Sequence, residues 1–271
     1  MSRIAVQQLA PVLGDLERNR SLALAAIREA IEAGAEVVVL PELITSGYVF
    51  ESRDEAAEVA IDPEHELLRE WAEEARRGDA VVIGGFCERG DDGLLYNSAA
   101  LIDAAGLRAV YRKLHLWDHE KLIFEPGAAA PPVVDTRAGR IGVLICYDLE
   151  FPELTRWVAL QGAQLLAVPT NWPLVPRPDG ERPPEAMIAM AAARVNRMAI
   201  ACADRLGTER GVEWTGGAIL VGVDGWAAAE RRDTGLLVAD IDLAEALEKR
   251  LTDHADAFGD RRPDIYASLA P

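Results

Sequence analysis

Cysteine is scarce in this chain of 271 residues: only Cys87, Cys146 and Cys202 occur. Three widely spaced cysteines cannot form a disulfide framework, and they point to a reducing compartment. Lysine is as rare, with Lys113, Lys121 and Lys249 against 25 arginines. Any lysine beside a reactive group therefore stands out. Long apolar runs are missing too: no stretch reaches the roughly 18 apolar residues of a membrane span, and residues 1–8 lack the apolar segment of a signal peptide. The expectation is a soluble, cytoplasmic protein. Positive charge is in deficit, since 28 Lys plus Arg against 45 Asp plus Glu leave a net charge of −17. Such a surface repels phosphate backbones and anionic lipids, so neither nucleic acid nor membrane is an expected partner.

What is present is an ordinary globular balance, 50% apolar and 27% charged. Residues 4–9 read as a strand, 15–33 as a helix stopped by Gly34, and 36–40 as a continuous β-branched run ended by Pro41. That is a β–α–β opening. A helix at 64–77, a strand at 80–85 and a hairpin of 96–102 with 107–111 follow. Strands at 140–145, 164–168, 198–203, 218–221 and 236–241 then alternate with helices at 152–160, 184–196 and 243–251. Neither a linker nor a repeat interrupts this α/β rhythm, so one domain over 1–271 is the simplest reading. The Pro-rich 173–184 is the longest loop expected. Residues 258–271 read as a tail that is a poor free helix or strand and is expected to pack on a partner subunit.

Three segments could carry chemistry. The strand 140–145 delivers Cys146 to its C-terminal end, and a helix with Pro152 in its first turn begins six residues later. Helix N-termini and free backbone N–H groups can activate a thiol and hold an oxyanion. A buried structural cysteine is the alternative. Pro41-Glu42 sets a carboxylate just beyond a buried strand, where parallel sheets open into ligand crevices. Its alternative is a solvated turn glutamate. Lys113, in Tyr111-Arg112-Lys113-Leu114-His115-Leu116, ends another strand, and its alternative is a surface lysine. Cys87 and Cys202 lie in apolar strands as inert packing residues, and Asp148 is assigned to the turn. His115 and His119 are four apart, but no third ligand is spaced to complete a zinc site. His65 and His254 fall in stretches read as helical and exposed.

Pro41-Glu42, Tyr111–Leu116 and Ile145-Cys146-Tyr147-Asp148-Leu149-Glu150-Phe151-Pro152-Glu153 together resemble, in order and spacing, the Glu–Lys–Cys signatures of the nitrilase superfamily, the carbon–nitrogen hydrolases. Asn171-Trp172, Ala193–Asn196 and Arg261-Arg262-Pro263-Asp264 extend the similarity along the chain. The resemblance implies a four-layer α–β–β–α sandwich, a homodimer or larger even assembly, and neither metal nor cofactor. It assigns the nucleophile to Cys146, the base to Glu42 and the oxyanion cation to Lys113, and it places Glu120 near the substrate. An amide is a poor electrophile, so all three reacting roles are needed, and a carboxylate base requires a raised pKa.

Tyr147-Asp148 after the cysteine resembles the amidase or carbamoylase form; nitrile-cleaving members carry Trp-Glu there. The expected reaction is hydrolysis of a small aliphatic amide to carboxylate and ammonia. An N-carbamoyl amine hydrolase and a nitrilase are alternatives, and a non-catalytic acidic scaffold is the reading from another class. Glu150 stands where relatives with carboxylate-bearing substrates carry arginine. A pocket-facing Glu150 would select an ammonium tail, as in an ω-amino amide, while a helix-end acid is the equal alternative. The Tyr147 N–H is expected at the oxyanion. Tyr48 and Trp172 follow strand ends as candidate pocket walls, with ordinary packing as their alternative.

Overall fold

A computed structural model describes residues 1–267. Strands run in chain order as β1 (Ser2–Gln8), β2 (Val37–Val39), β3 (Val81–Arg89), β4 (Leu95–Asp103), β5 (Gly106–Arg112), β6 (Val133–Thr136), β7 (Gly139–Val143), β8 (Leu165–Pro169), β9 (Ala199–Ala203), β10 (Thr208–Glu209), β11 (Val212–Glu213), β12 (Ile219–Val221), β13 (Ala227–Glu230), β14 (Gly235–Ile241), β15 (Arg250–Thr252) and β16 (Ala255–Asp256). The helices are α1 (Leu16–Glu32), α2 (Arg53–Glu58), α3 (Glu66–Gly78), α4 (Glu120–Ile123), α5 (Pro152–Leu160), α6 (Pro184–Asn196) and α7 (Pro263–Tyr266). Two six-stranded sheets form, ordered β14-β1-β2-β3-β4-β5 and β13-β12-β9-β8-β7-β6. Each has a parallel centre, β1–β2–β3 in one and β7–β8–β9 in the other.

Alternation along the first sheet shows how it is covered. Ile4, Val6, Val37, Val39, Val81 and Ile83 share a core with the second sheet. Their neighbours Ala5, Val38 and Val82 point the other way, onto Ala23, Ala26, Ile27 and Ala30 of α1 and Leu67, Leu68 and Trp71 of α3. A one-residue slip would exchange these faces. On its outer side the second sheet meets Val158 and Ala159 of α5 and Ala189 and Ala193 of α6. The result is the α–β–β–α sandwich, which explains why the central strands read as continuous apolar runs rather than alternating ones. Trp71 is wholly buried under the first sheet, and truncating it to alanine should cost roughly 3–5 kcal/mol.

Most expected elements appear within a few residues of their predicted bounds. The exception is 243–251, which is a short 3₁₀ turn (Leu243–Leu247) followed by β15. Only Leu243 and Ala246 of that turn are buried, three residues apart, which suits a three-residue repeat and leaves no stripe for a longer helix. His254 accordingly lies in the β15–β16 turn, and His65 is the cap of α3, accepting the Leu67 N–H on Nδ1 at 3.2 Å. Residues 173–183 are a loop apart from a single bridge, Pro173 to Trp214, and Pro184 already opens α6. Of the tail at 258–271, residues 258–267 hold α7, and 268–271 lie outside the described residues. No helix among the described residues is long and apolar enough to cross a membrane.

Candidate active site

Strand ends of both sheets converge on one point. Glu42 follows β2, Lys113 is the first residue after β5, and Cys146 comes three residues after β7. The Glu42 turn lies directly on β3: a Cβ on Gly85 would fall 2.3 Å from Leu43 N and 2.6 Å from Glu42 Cα. Only glycine permits that approach. Asn97 in β4 accepts the Lys113 N–H at 2.9 Å, which fixes the lysine backbone where the β4–β5 ladder ends.

The side chains of Glu42 and Lys113 are wholly buried, and that of Glu120 nearly so. Lys113 Nζ lies 2.6 Å from Glu42 Oε1, and 2.8 and 3.0 Å from Glu120 Oε2 and Oε1. Asn97 Nδ2 donates to Oε1 of both glutamates at 2.7 Å. Glu120 Oε2 also accepts the Trp117 N–H at 2.6 Å. Glu120 is therefore saturated. Glu42 is not: its buried Oε2 has no partner among the described residues. The amide oxygen of Asn97 is likewise unpartnered, but of the two only the carboxylate oxygen is basic enough to accept a proton.

Burial raises the Glu42 carboxyl from its usual 4.5 to about 7, with Glu120 adding to the rise and Lys113 and Asn97 opposing it. Burial by itself would lower Lys113, but Glu120 and Glu42 outweigh it and keep the ammonium charged. The Cys146 thiol is pushed well above its usual value by burial and by Glu42, against the pull of Lys113. At rest Cys146 is therefore a neutral thiol, and the Glu42 carboxyl is poised near neutrality.

Cys146 has φ +46, a left-handed conformation uncommon for a side-chain-bearing residue. It opens a 3₁₀ turn, Cys146–Glu150, ahead of α5. In the first turn of such an element the N–H groups lack helical partners, which leaves the Tyr147 N–H for an oxyanion. Asp148 ties the turn down from behind, accepting the Ile145 N–H at 3.3 Å, the His115 N–H at 2.9 Å and the Tyr111 hydroxyl at 2.8 Å. The thiol lies 3.8 Å from the Asn171 carbonyl oxygen, and Asn171 Nδ2 holds the Glu42 carbonyl at 2.9 Å.

A cleft of about 470 Å³ leads to this cluster, with Glu120 among its lining. Tyr48, Phe50, Trp117, Phe124 and Trp214 supply aromatic walls, while Glu51, Asp118 and Arg210 are charged lining residues. Tyr48 and Trp214 meet edge to face, 5.2 Å between ring centres.

The sequence model of the carbon-nitrogen hydrolase family matches residues 3–250. The chain belongs to that family. It is 36% identical to a Pyrococcus abyssi protein named nitrilase, covering 98% of this chain and 99% of that one. It is 32% identical to the Solanum lycopersicum N-carbamoylputrescine amidase, covering 94% and 90%. Among solved structures, a Cys-to-Ala mutant of the Nesterenkonia AN1 amidase from the nitrilase superfamily superposes with a TM-score of 0.81 at 29% identity, covering 99% of this chain and 97% of that one. A Glu-to-Gln mutant of that amidase shows the result of Michael addition of acrylamide at its active-site cysteine, at a TM-score of 0.80, 28% identity and coverage of 99% and 100%.

This carbon-nitrogen hydrolase brings together Glu42, Lys113, Cys146, Glu120 and Tyr48 from widely separated segments. Three other expected contacts fall elsewhere. Trp172 is almost fully buried and does not line the cleft; its N–H bonds Asp204 at 3.0 Å and its ring packs against Gly217. The Tyr147 ring faces Trp117 and Phe151, in a neighbouring groove. Glu150 ends the 3₁₀ turn outside the cleft lining, largely exposed, where partial desolvation and the Glu185 charge raise its pKa. Cys87 and Cys202 are buried in strands, as expected. Asn97 was missed, although a lone amide within the apolar run Leu95–Asp103 is the signal of a buried polar group with a task.

Proposed function

We propose that this enzyme is an amidase that hydrolyses small linear amides through a Cys146 thioester. The free, buried Oε2 of Glu42, whose charge acts on the Cys146 thiol, carries this reading. Cys146 Sγ attacks the amide carbon as its proton passes to Glu42. The oxyanion forms against Lys113 Nζ and the Tyr147 N–H. An ammonium has three N–H donors, and at rest it contacts three carboxylate oxygens, so one of its two contacts with Glu120 gives way as the oxyanion forms. As the carbonyl reforms, Glu42 returns the proton to the nitrogen and ammonia leaves. Water then attacks the thioester and gives its proton to Glu42. The carboxylate departs as Cys146 recovers the proton.

The preferred substrates carry an ammonium tail, as an ω-amino amide or an N-carbamoyl amine. Among the described residues Arg210 is the only Lys or Arg lining the cleft, and it is held by Glu55 and the Val49 carbonyl oxygen at 2.9 Å. Glu51 and Asp118 leave that lining acidic, so a cationic tail finds partners there and a carboxylate tail does not. The named N-carbamoylputrescine amidase activity of relatives supports this second class of substrate. The assembly in this proposal is an even-numbered homo-oligomer, and sedimentation at chain mass would refute it.

Ammonia release from matched amides with ammonium, methyl and carboxylate tails, an N-carbamoyl amine and a nitrile tests the reading in one screen. Turnover of amides in the order ammonium, methyl, carboxylate supports it. Turnover of the nitrile alone would replace it with a nitrilase, and no turnover by protein whose Cys146 is intact would leave the scaffold reading.

A further inference from the structure

Behind the cleft lies a buried ion pair that the reaction does not use. Arg205 follows β9 and Glu209 closes β10; their side chains are 2% and 5% exposed and meet at 2.8 Å between Nη2 and Oε2. Glu209 Oε1 accepts the N–H groups of Tyr48 and Val49 at 2.8 and 2.5 Å. The Arg205 guanidinium lies 4.7 Å over the Trp214 ring. One pair thus holds both aromatic walls, Tyr48 through its backbone and Trp214 through its face. The sequence accommodates the contact at Gly47, where φ is +78 and a Cβ would fall 2.6 Å from Leu13 Cα and 3.0 Å from Glu209 Oε2.

The consequence reaches the reacting groups through Tyr48. Tyr48 and Glu120 line the same cleft, and Glu120 is bonded to Lys113, so a displaced Tyr48 reshapes the space beside the Glu42–Lys113–Glu120 cluster. Arg205 Nε and Nη1 are buried and make no hydrogen bond among the described residues, and Nη2 reaches Glu209 and the Pro11 carbonyl oxygen. A group serving stability alone would satisfy more of its donors; here ring coverage and one ion pair set its place.

We infer that Arg205 and Glu209 are positioning residues that fix the Tyr48 and Trp214 walls and so set which acyl groups the cleft accepts. The inference rests on the amidase reading, but its test does not depend on turnover. Alkylation of Cys146 by iodoacetamide, an amide-bearing electrophile, separates binding in the cleft (KI) from reaction at sulfur (kinact). Cys146→Ala protein supplies the blank, and melting curves confirm folding.

Glu209→Ala should raise KI about tenfold with kinact changed less than about threefold. Arg205→Lys keeps the charge but not the planar face over Trp214, and it should give a smaller rise in KI. Tyr48→Ala should raise KI, and adding Glu209→Ala to it should raise KI by less than Glu209→Ala does alone, because much of the effect of Glu209 runs through Tyr48. A fall in kinact that matches the rise in KI, an unchanged KI in folded Arg205→Lys protein, or multiplicative effects of the two alanines would each overturn the assignment. Absence of ammonia release by the wild type would overturn the amidase reading and leave the KI comparison standing.

Discussion

Two buried charge clusters flank one cleft, and they differ in what they leave over. At the floor, Lys113 and Asn97 satisfy both oxygens of Glu120 and one of Glu42, so the atoms left free are acceptors, Glu42 Oε2 and the amide oxygen of Asn97, and the Glu42 charge acts on the Cys146 thiol. At the wall, both oxygens of Glu209 are engaged, and the free atoms are donors on Arg205 with no nucleophile in contact. A free basic oxygen can cycle a proton. A saturated carboxylate can only hold what it touches. Burial of an ion pair alone therefore does not mark a catalytic group; the unsatisfied atom and its neighbour do.

The largest effects should follow from removing the members of the floor. Cys146→Ala, Glu42→Gln and Lys113→Ala should each lower kcat by at least about 10³ in ammonia-release assays. Lys113→Ala should also destabilise the fold by about 3–5 kcal/mol, because it leaves two carboxylates buried without their cation. Denaturant melts would separate that loss from the loss of chemistry. Substantial turnover by Cys146→Ala would remove the distinction between floor and wall altogether.

The pH profile sharpens the comparison, since only the floor carries a base. Glu42 must be ionised to take the thiol proton, so kcat/KM should fall as pH drops through about 7. Neighbours should move that limb in opposite directions. Glu120→Gln removes a charge that raises the Glu42 pKa and should shift the limb down, whereas Asn97→Leu removes a bond that lowers it and should shift the limb up. Because the folded value exceeds the ordinary 4.5, the folded state binds this proton more tightly than the unfolded chain. Stability from this group therefore falls as pH rises from about 4.5 to about 7. An acid limb that both variants leave in place would assign the base elsewhere.

The reacting groups of the floor and Tyr48 of the wall were legible in the sequence; Asn97 and the Arg205–Glu209 pair were not. Glu42 follows a β-branched run, Lys113 a hairpin strand and Cys146 an apolar strand, and the three motifs together carried the resemblance. Asn97 and Glu209 act through side-chain contacts across 23 to 161 residues, a separation no local pattern encodes. Strand and helix assignments held where period and punctuation agreed, as at Pro152–Leu160 and Pro184–Asn196, whose predicted bounds match the observed ones. They failed at 243–251, where burial of only two residues favours a 3₁₀ turn. Trp172 illustrates a different limit: its position after a strand was read correctly, but which way its ring packs depends on the close approach of Gly217.

The smallest effect is expected at Glu150, where charge alone suggested an ammonium receptor. Its carboxylate is exposed, outside the cleft and near Glu185, so the charge it experiences is that of another acid. Desolvation and Glu185 raise its folded pKa, which makes ionisation slightly unfavourable to the fold: stability falls as pH rises through the folded value. Glu150→Gln should relieve that repulsion and raise Tm by only about 1 °C above pH 6, with no gain at pH 4, because solvent screens much of it. The rate ratio between ammonium-tailed and methyl-tailed amides should stay within about twofold of wild type, while Asp118→Asn in the cleft lining should lower it by more. If Glu150→Gln instead collapses the ratio, the carboxylate reaches the bound tail. Recognition of the cation would then belong to the nucleophile's own turn rather than to the cleft lining.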